Sequence, residues 1–235
     1  MANEQNSATV LVLWDIDHTL IETRGVGRAS FADAFERVTG RPLERMPHIT
    51  GRTEPDIYAA TAELHGIDTP PPFAAFAEAL ASAYLVRQDE LRKQGRVMPG
   101  ATEALACLAC LPDVHQSVLT GNTKAVSRIK LETFGLGKYL DLDIGAYGDD
   151  DGHRPSLVSV AQSRAVARHA STFDRRRTVL IGDSLGDIAT ALQGGARIIA
   201  VAAGGTAASD LIGADLVMDD LTDTEALING IRSLH

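Results

Sequence analysis

Short apolar runs rich in β-branched residues recur along the chain, and stretches with helical periodicity lie between them. VLVLWD (10–15) is the first run, HQSVLTG (115–121) the second and LDIGAYG (142–148) a weaker third. TVLIGD (178–183) and RIIAVAAGG (197–205) follow, with ADLVMDD (214–220) as a sixth candidate. Nearly unbroken apolar runs suit strands buried on both faces of a parallel sheet. The amphipathic stretches 123–135, 156–170, 184–194 and 222–233 read as covering helices. This alternation predicts an α/β layered fold, a Rossmann-like parallel sheet with helices on both faces.

One interval breaks the alternation. About a hundred residues separate the first and second strands, where a βαβ crossover needs only about thirty. Within it, 28–39, 53–65 and 73–94 read as helices, and Pro70, Pro71 and Pro72 force a loop before the last. The interval closes at Met98-Pro99-Gly100, and 101–111 reads as the helix due after strand one. The expected organisation is a core of 1–21 and 98–235 with a helical cap, 22–97, inserted after the first strand. A chain of 235 residues is long enough for that arrangement.

Composition narrows the partners. Lys and Arg total 22 against 31 Asp and Glu, a formal charge of −9. That balance argues against nucleic acid and against an anionic membrane surface. A hydrophobic share of 45% and a charged share of 23% are ordinary for a globular chain. Two cysteines exclude a disulfide scaffold, and Cys107 and Cys110 in LACLACLPD read as core residues of a buried helix. The start, MANEQNSATVLVLWD, lacks a basic segment before a long apolar one, and Glu4 stands where a signal peptide carries a cation. The expectation is a cytoplasmic monomer or homodimer without membrane association. Arg175, Arg176 and Arg177 read as a solvated loop before a strand.

The chemistry gathers at strand ends, where open parallel sheets bind ligands. WDIDHTL (14–20), LTGN (119–122) and IGDSLGD (181–187) end the first, second and fourth runs. Asp15 closes a buried strand, which costs solvation unless a cation compensates. Asp17, two residues on, leaves the same face in extended geometry. Asp183 ends another buried strand, with Asp187 one helical turn later. Carboxylates crowded at one sheet edge repel, and an all-oxygen ligand set suits Mg²⁺. Thr120, Gly121 and Asn122 supply a hydroxyl and flexible amides for an anion. A strand-end Asp taken alone reads equally well as a turn or helix cap.

Together these residues resemble the haloacid dehalogenase-like hydrolases. WDIDHTL matches that family's DxDxT/V signature, LTGN is similar to its second motif and GDSLGD to its DxxxD fourth motif. The resemblance spans roughly residues 10–220, and the helical insertion resembles the cap of the phosphoglycolate phosphatase and β-phosphoglucomutase branch. It implies a Mg²⁺-dependent phosphatase acting on a small phosphorylated metabolite, with a phosphomutase as the alternative. Asp15 is then the nucleophile that forms an aspartyl-phosphate, and Asp17 the acid and base. Asp15, the Asp17 carbonyl and Asp183 hold the metal with support from Asp187, while Thr120, Gly121 and Asn122 bind the phosphoryl group.

The family's third motif is a cation after the third strand, usually Lys before Pro. Here Arg154 precedes Pro155, and Lys130 in SRIKLETFGL is the other candidate. His18 stands where the family commonly has Gly, and reads as a turn residue. Gly204, Gly205 and Thr206 read as a turn or as site lining. The cap's polar candidates are Arg24, Arg28, Arg45, His48 and Arg52, with Arg52 just before a helix N-capped by Thr53. Dehalogenase chemistry has no use for a metal cage, and the family's dehalogenases lack the second Asp that Asp17 supplies. Phosphonatase chemistry needs a cap lysine, and the cap holds only Lys93. A receiver domain carries its acceptor Asp on the third strand, and a catalytically silent binding protein has no need of the intact acidic set.

Overall fold

The computed structural model describes residues 9–234, so the reading of the first residues as lacking a leader lies outside the described ones. Five parallel strands form one sheet: β1 (Val10–Trp14), β4 (Val114–Val118), β5 (Thr178–Gly182), β6 (Arg197–Val201) and β7 (Leu216–Met218). Their spatial order is β4-β1-β5-β6-β7. The chain goes to one side of β1 for β4 and then to the other for β5. Such a reversal opens a crevice at the carboxyl end of β1.

Alternation along β1 divides the core. Val10, Val12 and Trp14 join Val179 and Ile181 under α5 (Ala101–Ala109) and α9 (Thr224–Ser233), through Leu105, Leu108, Leu227 and Ile231. Leu11 and Leu13 join Leu180 and Ile198 on the opposite face, under α7 (Ser156–His169) and α8 (Leu185–Gly194). The sheet is therefore buried on both faces, as its unbroken apolar runs required.

Between β2 (Ile21–Glu22) and β3 (Arg96–Val97), which pair antiparallel, lie four helices. These are α1 (Val26–Thr39), α2 (Glu54–Leu64), α3 (Phe73–Val86) and α4 (Gln88–Gln94). They have their own core of Val26, Phe31, Phe35, Tyr58, Phe76, Leu80 and Leu91. Val126 and Ile129 from α6 (Lys124–Thr133) complete it. Thus α6 gives one face to the insertion, while Leu131 packs into the sheet core.

Four expectations need correction. The run at 142–148 forms no strand: only a single parallel bridge joins Leu119 to Ala146. The helix expected over 73–94 breaks at Arg87, where the apolar periodicity had run on into Leu85 and Val86, which face solvent. Cys107 and Cys110 are exposed, because Ala101, Ala104, Leu105 and Leu108 form the buried stripe of α5. Thr53 occupies the N-cap position of α2, but its hydroxyl donates to the Gly152 carbonyl (2.9 Å) rather than capping the helix.

Candidate active site

Asp15 directly follows β1, and Asp183 directly follows β5, the neighbouring strand. Their carboxylates meet that of Asp187, from the first turn of α8, with ligand atoms of all three within 4.8 Å of one another. All three residues are buried. Burial, together with Asp187, pushes the Asp15 carboxyl well above its ordinary range, although Arg154 pulls the other way. Asp183 is pushed up to about 6 by burial and then by Asp187, against the hydrogen bond from Thr19 Oγ1 (3.1 Å). Gly204 makes room here, since a Cβ at that position would overlap the Asp183 carboxylate.

Arg154 is the cation of this cluster. A single terminal nitrogen donates to Asp15 Oδ1 (2.7 Å) and Asp187 Oδ1 (2.6 Å). Its Nε is buried and has no acceptor among the described residues. Asp187 is also engaged at its other oxygen, which accepts from the Ser184 amide (3.0 Å) and hydroxyl (2.6 Å) in a capping box at the start of α8. Both Asp187 oxygens are thus satisfied by protein. Asp187 therefore orients its neighbours more readily than it could ligate an ion.

Lys130 belongs to a second cluster. It lies on α6 between residues facing the insertion and the sheet, so its ammonium emerges at the seam. Its Nζ donates to both oxygens of Asp17 (2.8 Å each) and to Asn122 Oδ1 (2.7 Å). Asn122 Nδ2 donates to Asp17 Oδ2 (2.7 Å) and Thr120 Oγ1 (2.8 Å). Burial would raise the Asp17 carboxyl, but Lys130 and Asn122 outweigh it and hold the group below its ordinary value. The Asp17 side chain accordingly points to Lys130 and stands outside the Asp15–Asp183–Asp187 group. The two candidate cations serve different carboxylates.

Sequence reasoning missed Glu54. It opens α2, yet its carboxylate accepts from the Thr123 amide (2.7 Å), and its own amide donates to the Gly121 carbonyl (2.8 Å). Burial pushes its carboxyl up to about 7 despite the nearby Lys130. The insertion therefore seats on the LTGN turn. Bare glycine contacts tighten the seat: a Cβ at Gly121 would overlap the Arg52 carbonyl, and Gly51 lies against Gly186. An acidic residue in the first turn of a helix was the available sequence signal, but helix-dipole compensation explains that equally well.

These clusters share one cavity, with Asp15, Asp17, His18, Thr120, Gly121, Asn122, Lys130, Arg154 and Asp183 in its wall. His18 has φ 64° and donates its amide to the Ile21 carbonyl (2.8 Å), so it takes the turn role while facing the cavity. Arg52 also reaches the cavity wall, but its guanidinium is taken up by Asp56 (2.5 and 2.7 Å). Arg24 is exposed, pairs with Glu22 (3.5 Å) and is not in the wall.

The acidic pair fits a small hard dication. Asp15 and Asp183 offer oxygens only, are crowded together and are held out of water, and their shared repulsion is what a divalent charge relieves.

Residues 12–192 match the model of the haloacid dehalogenase-like hydrolase family. The chain belongs to this family. It is therefore a hydrolase by descent. It is 28% identical over 194 residues to the probable phosphatase IndB of Dickeya dadantii, covering 81% of this chain and 80% of that protein. CbbY of Rhodobacter sphaeroides, solved with phosphate, superposes with a TM-score of 0.70 at 19% identity, over 92% of this chain and 96% of that one. A putative β-phosphoglucomutase of Thermotoga maritima does so at 0.59 and 16% identity, over 94% and 99%. Among the described residues no helix is long and apolar enough to cross a membrane.

Proposed function

We propose that the protein is a Mg²⁺-dependent phosphatase that hydrolyses a small phosphorylated metabolite through a phosphate ester of Asp15. The observation that carries the proposal is the division of labour between the clusters: Arg154 on Asp15, and Lys130 with Asn122 on Asp17. Phosphoryl transfer asks the protein for positioning and charge neutralisation, and both are supplied at one sheet edge.

In this reading an Asp15 oxygen attacks phosphorus, and the leaving oxygen receives a proton from Asp17. Water then attacks the aspartyl-phosphate, with Asp17 taking its proton, so phosphate and alcohol leave and Asp15 is restored. Arg154 holds Asp15 by one nitrogen and lines the same cavity, so its charge would help neutralise a phosphoryl group there. Thr120 and Asn122 border the same space. Asp15, Asp183 and the Asp17 carbonyl would hold Mg²⁺, which supplies charge neutralisation for the carboxylates and the phosphoryl oxygens.

Asp17 must be protonated to act as an acid, whereas Lys130 keeps it ionised at neutral pH. Substrate binding therefore has to move Asp17 off the lysine or supply the proton from the incoming phosphate. Segment 22–97 acts as the cap in this scheme. Its core, shared with α6, and its two-stranded hinge support that role, and Glu54, Thr53 and Gly51 seat it over the site. The test is released phosphate from a panel of phosphorylated metabolites with Mg²⁺ present. Free phosphate supports the phosphatase, and isomerised product without free phosphate would put a phosphomutase in its place.

A further inference from the structure

The cavity continues from the acidic clusters into the helical segment, and there its wall changes character. The sheet edge contributes the polar wall, while the helical segment contributes Phe31, Met46, Ile49, Ile57 and Leu80, with Tyr84 beside Lys130 at the junction. With a volume of about 420 Å³, the cavity has room for a phosphoryl group and an attached organic group. The back of the helical segment's part is firm. Phe31 meets Phe76 edge-on at 4.8 Å, and Phe76 stacks on Tyr58 at 4.4 Å. The front is Met46 and Ile49, in residues 42–49 that form neither helix nor strand. Ile49 is 50% exposed, a large apolar side chain at the cavity that nothing in the fold covers.

Charge decides what the helical segment's part accepts. Its cations are Arg28 and Arg52. Arg52 is consumed by Asp56 and by the His48 carbonyl (3.2 Å), and Arg28 is exposed. The buried charge-bearing group contributed by the helical segment is the Glu54 carboxyl. A second phosphate among the apolar residues would meet one solvated arginine rather than a built anion site.

We infer that the leaving group accepted by this cavity is uncharged and largely apolar, an aryl or aralkyl alcohol bearing one phosphate, and that esters carrying a second phosphate are disfavoured. This rests on the phosphatase reading and adds a substrate class to it. The reaction is simple hydrolysis, in which the ester and water give the free alcohol and phosphate.

The test compares kcat/KM for benzyl phosphate, glycerol 1-phosphate, 2-phosphoglycolate and glucose 1,6-bisphosphate. Benzyl phosphate is expected to lead each of the others by about tenfold or more. A bisphosphate or glycerol phosphate that matches it overturns the inference. Ile49→Ser, a half-exposed position whose change spares the core, should raise KM for benzyl phosphate about threefold or more, and an unchanged KM counts against the apolar wall. Calorimetry with benzylphosphonate and methylphosphonate reads the cavity without turnover. At least about tenfold tighter binding of the benzyl compound is expected, and equal affinities overturn the inference. Turnover of none of the four esters, with benzylphosphonate still preferred, would overturn the phosphatase reading and leave the apolar subsite standing.

Discussion

Glu54 ties the helical segment to the sheet edge, and its protonation should be visible in stability. Its carboxyl is buried and pushed up to about 7 from an ordinary 4.5. A carboxyl whose pKa is higher folded than unfolded binds its proton more tightly when folded. Its stabilising contribution is therefore complete below about 4.5 and is lost as pH rises through about 7. Linkage between those two values gives a loss of about 2 kcal/mol between about pH 5.5 and about pH 8. In Glu54→Gln an uncharged amide oxygen can still accept from the Thr123 amide, so this loss should vanish. Urea unfolding of both proteins at both pH values isolates the effect, because Asp183 and the other titrating groups are common to the pair. The stability of wild type relative to the variant should fall by about 2 kcal/mol from the lower pH to the higher. A gap that stays constant within about half a kcal/mol would refute a buried, proton-holding Glu54.

The two cations should fail differently. Arg154→Ala leaves Asp15 and Asp187 facing each other unpaired and should lower kcat by about a hundredfold or more, read from phosphate release. Lys130→Ala frees Asp17 to titrate higher, so its pH–rate profile should move toward alkaline pH; superimposable profiles would remove Lys130 from the chemistry. A chelator should silence turnover and Mg²⁺ restore it, whereas activity persisting in chelator would refute the metal site. Gly204→Ala should weaken Mg²⁺ activation by about tenfold, since its methyl displaces the Asp183 carboxylate; an unchanged Mg²⁺ titration would show that Asp183 is not a ligand.

The sheet was legible because burial on both faces leaves a one-dimensional mark, runs such as VLVLW and TVLIG with no polar break. The strand-end aspartates were legible for the complementary reason, a charge where an apolar run stops. Lys130 could be named as a candidate from SRIKLETFGL, but its partner could not, because Asp17 lies 113 residues away. Glu54 escaped for the same reason: Thr123 is 69 positions distant, and a helix-start acid needs no distant partner to make sense. Residues 142–148 looked like a strand because Ile144, Ala146 and Tyr147 are apolar, and these residues are indeed buried, yet in a segment joined to the sheet by one bridge. Arg52 looked like a candidate substrate ligand until the helix that follows it supplied Asp56 four residues on.

The most direct test of the proposed chemistry is to trap the enzyme during turnover. The reaction on a slowly hydrolysed aryl phosphate would be quenched in acid and the peptides mapped by mass spectrometry. Phosphate should be found on Asp15, chased away by continued incubation, with none on Asp17 and none in Asp15→Asn. Turnover by Asp15→Asn, or phosphate resident on another residue, would contradict Asp15 as the nucleophile.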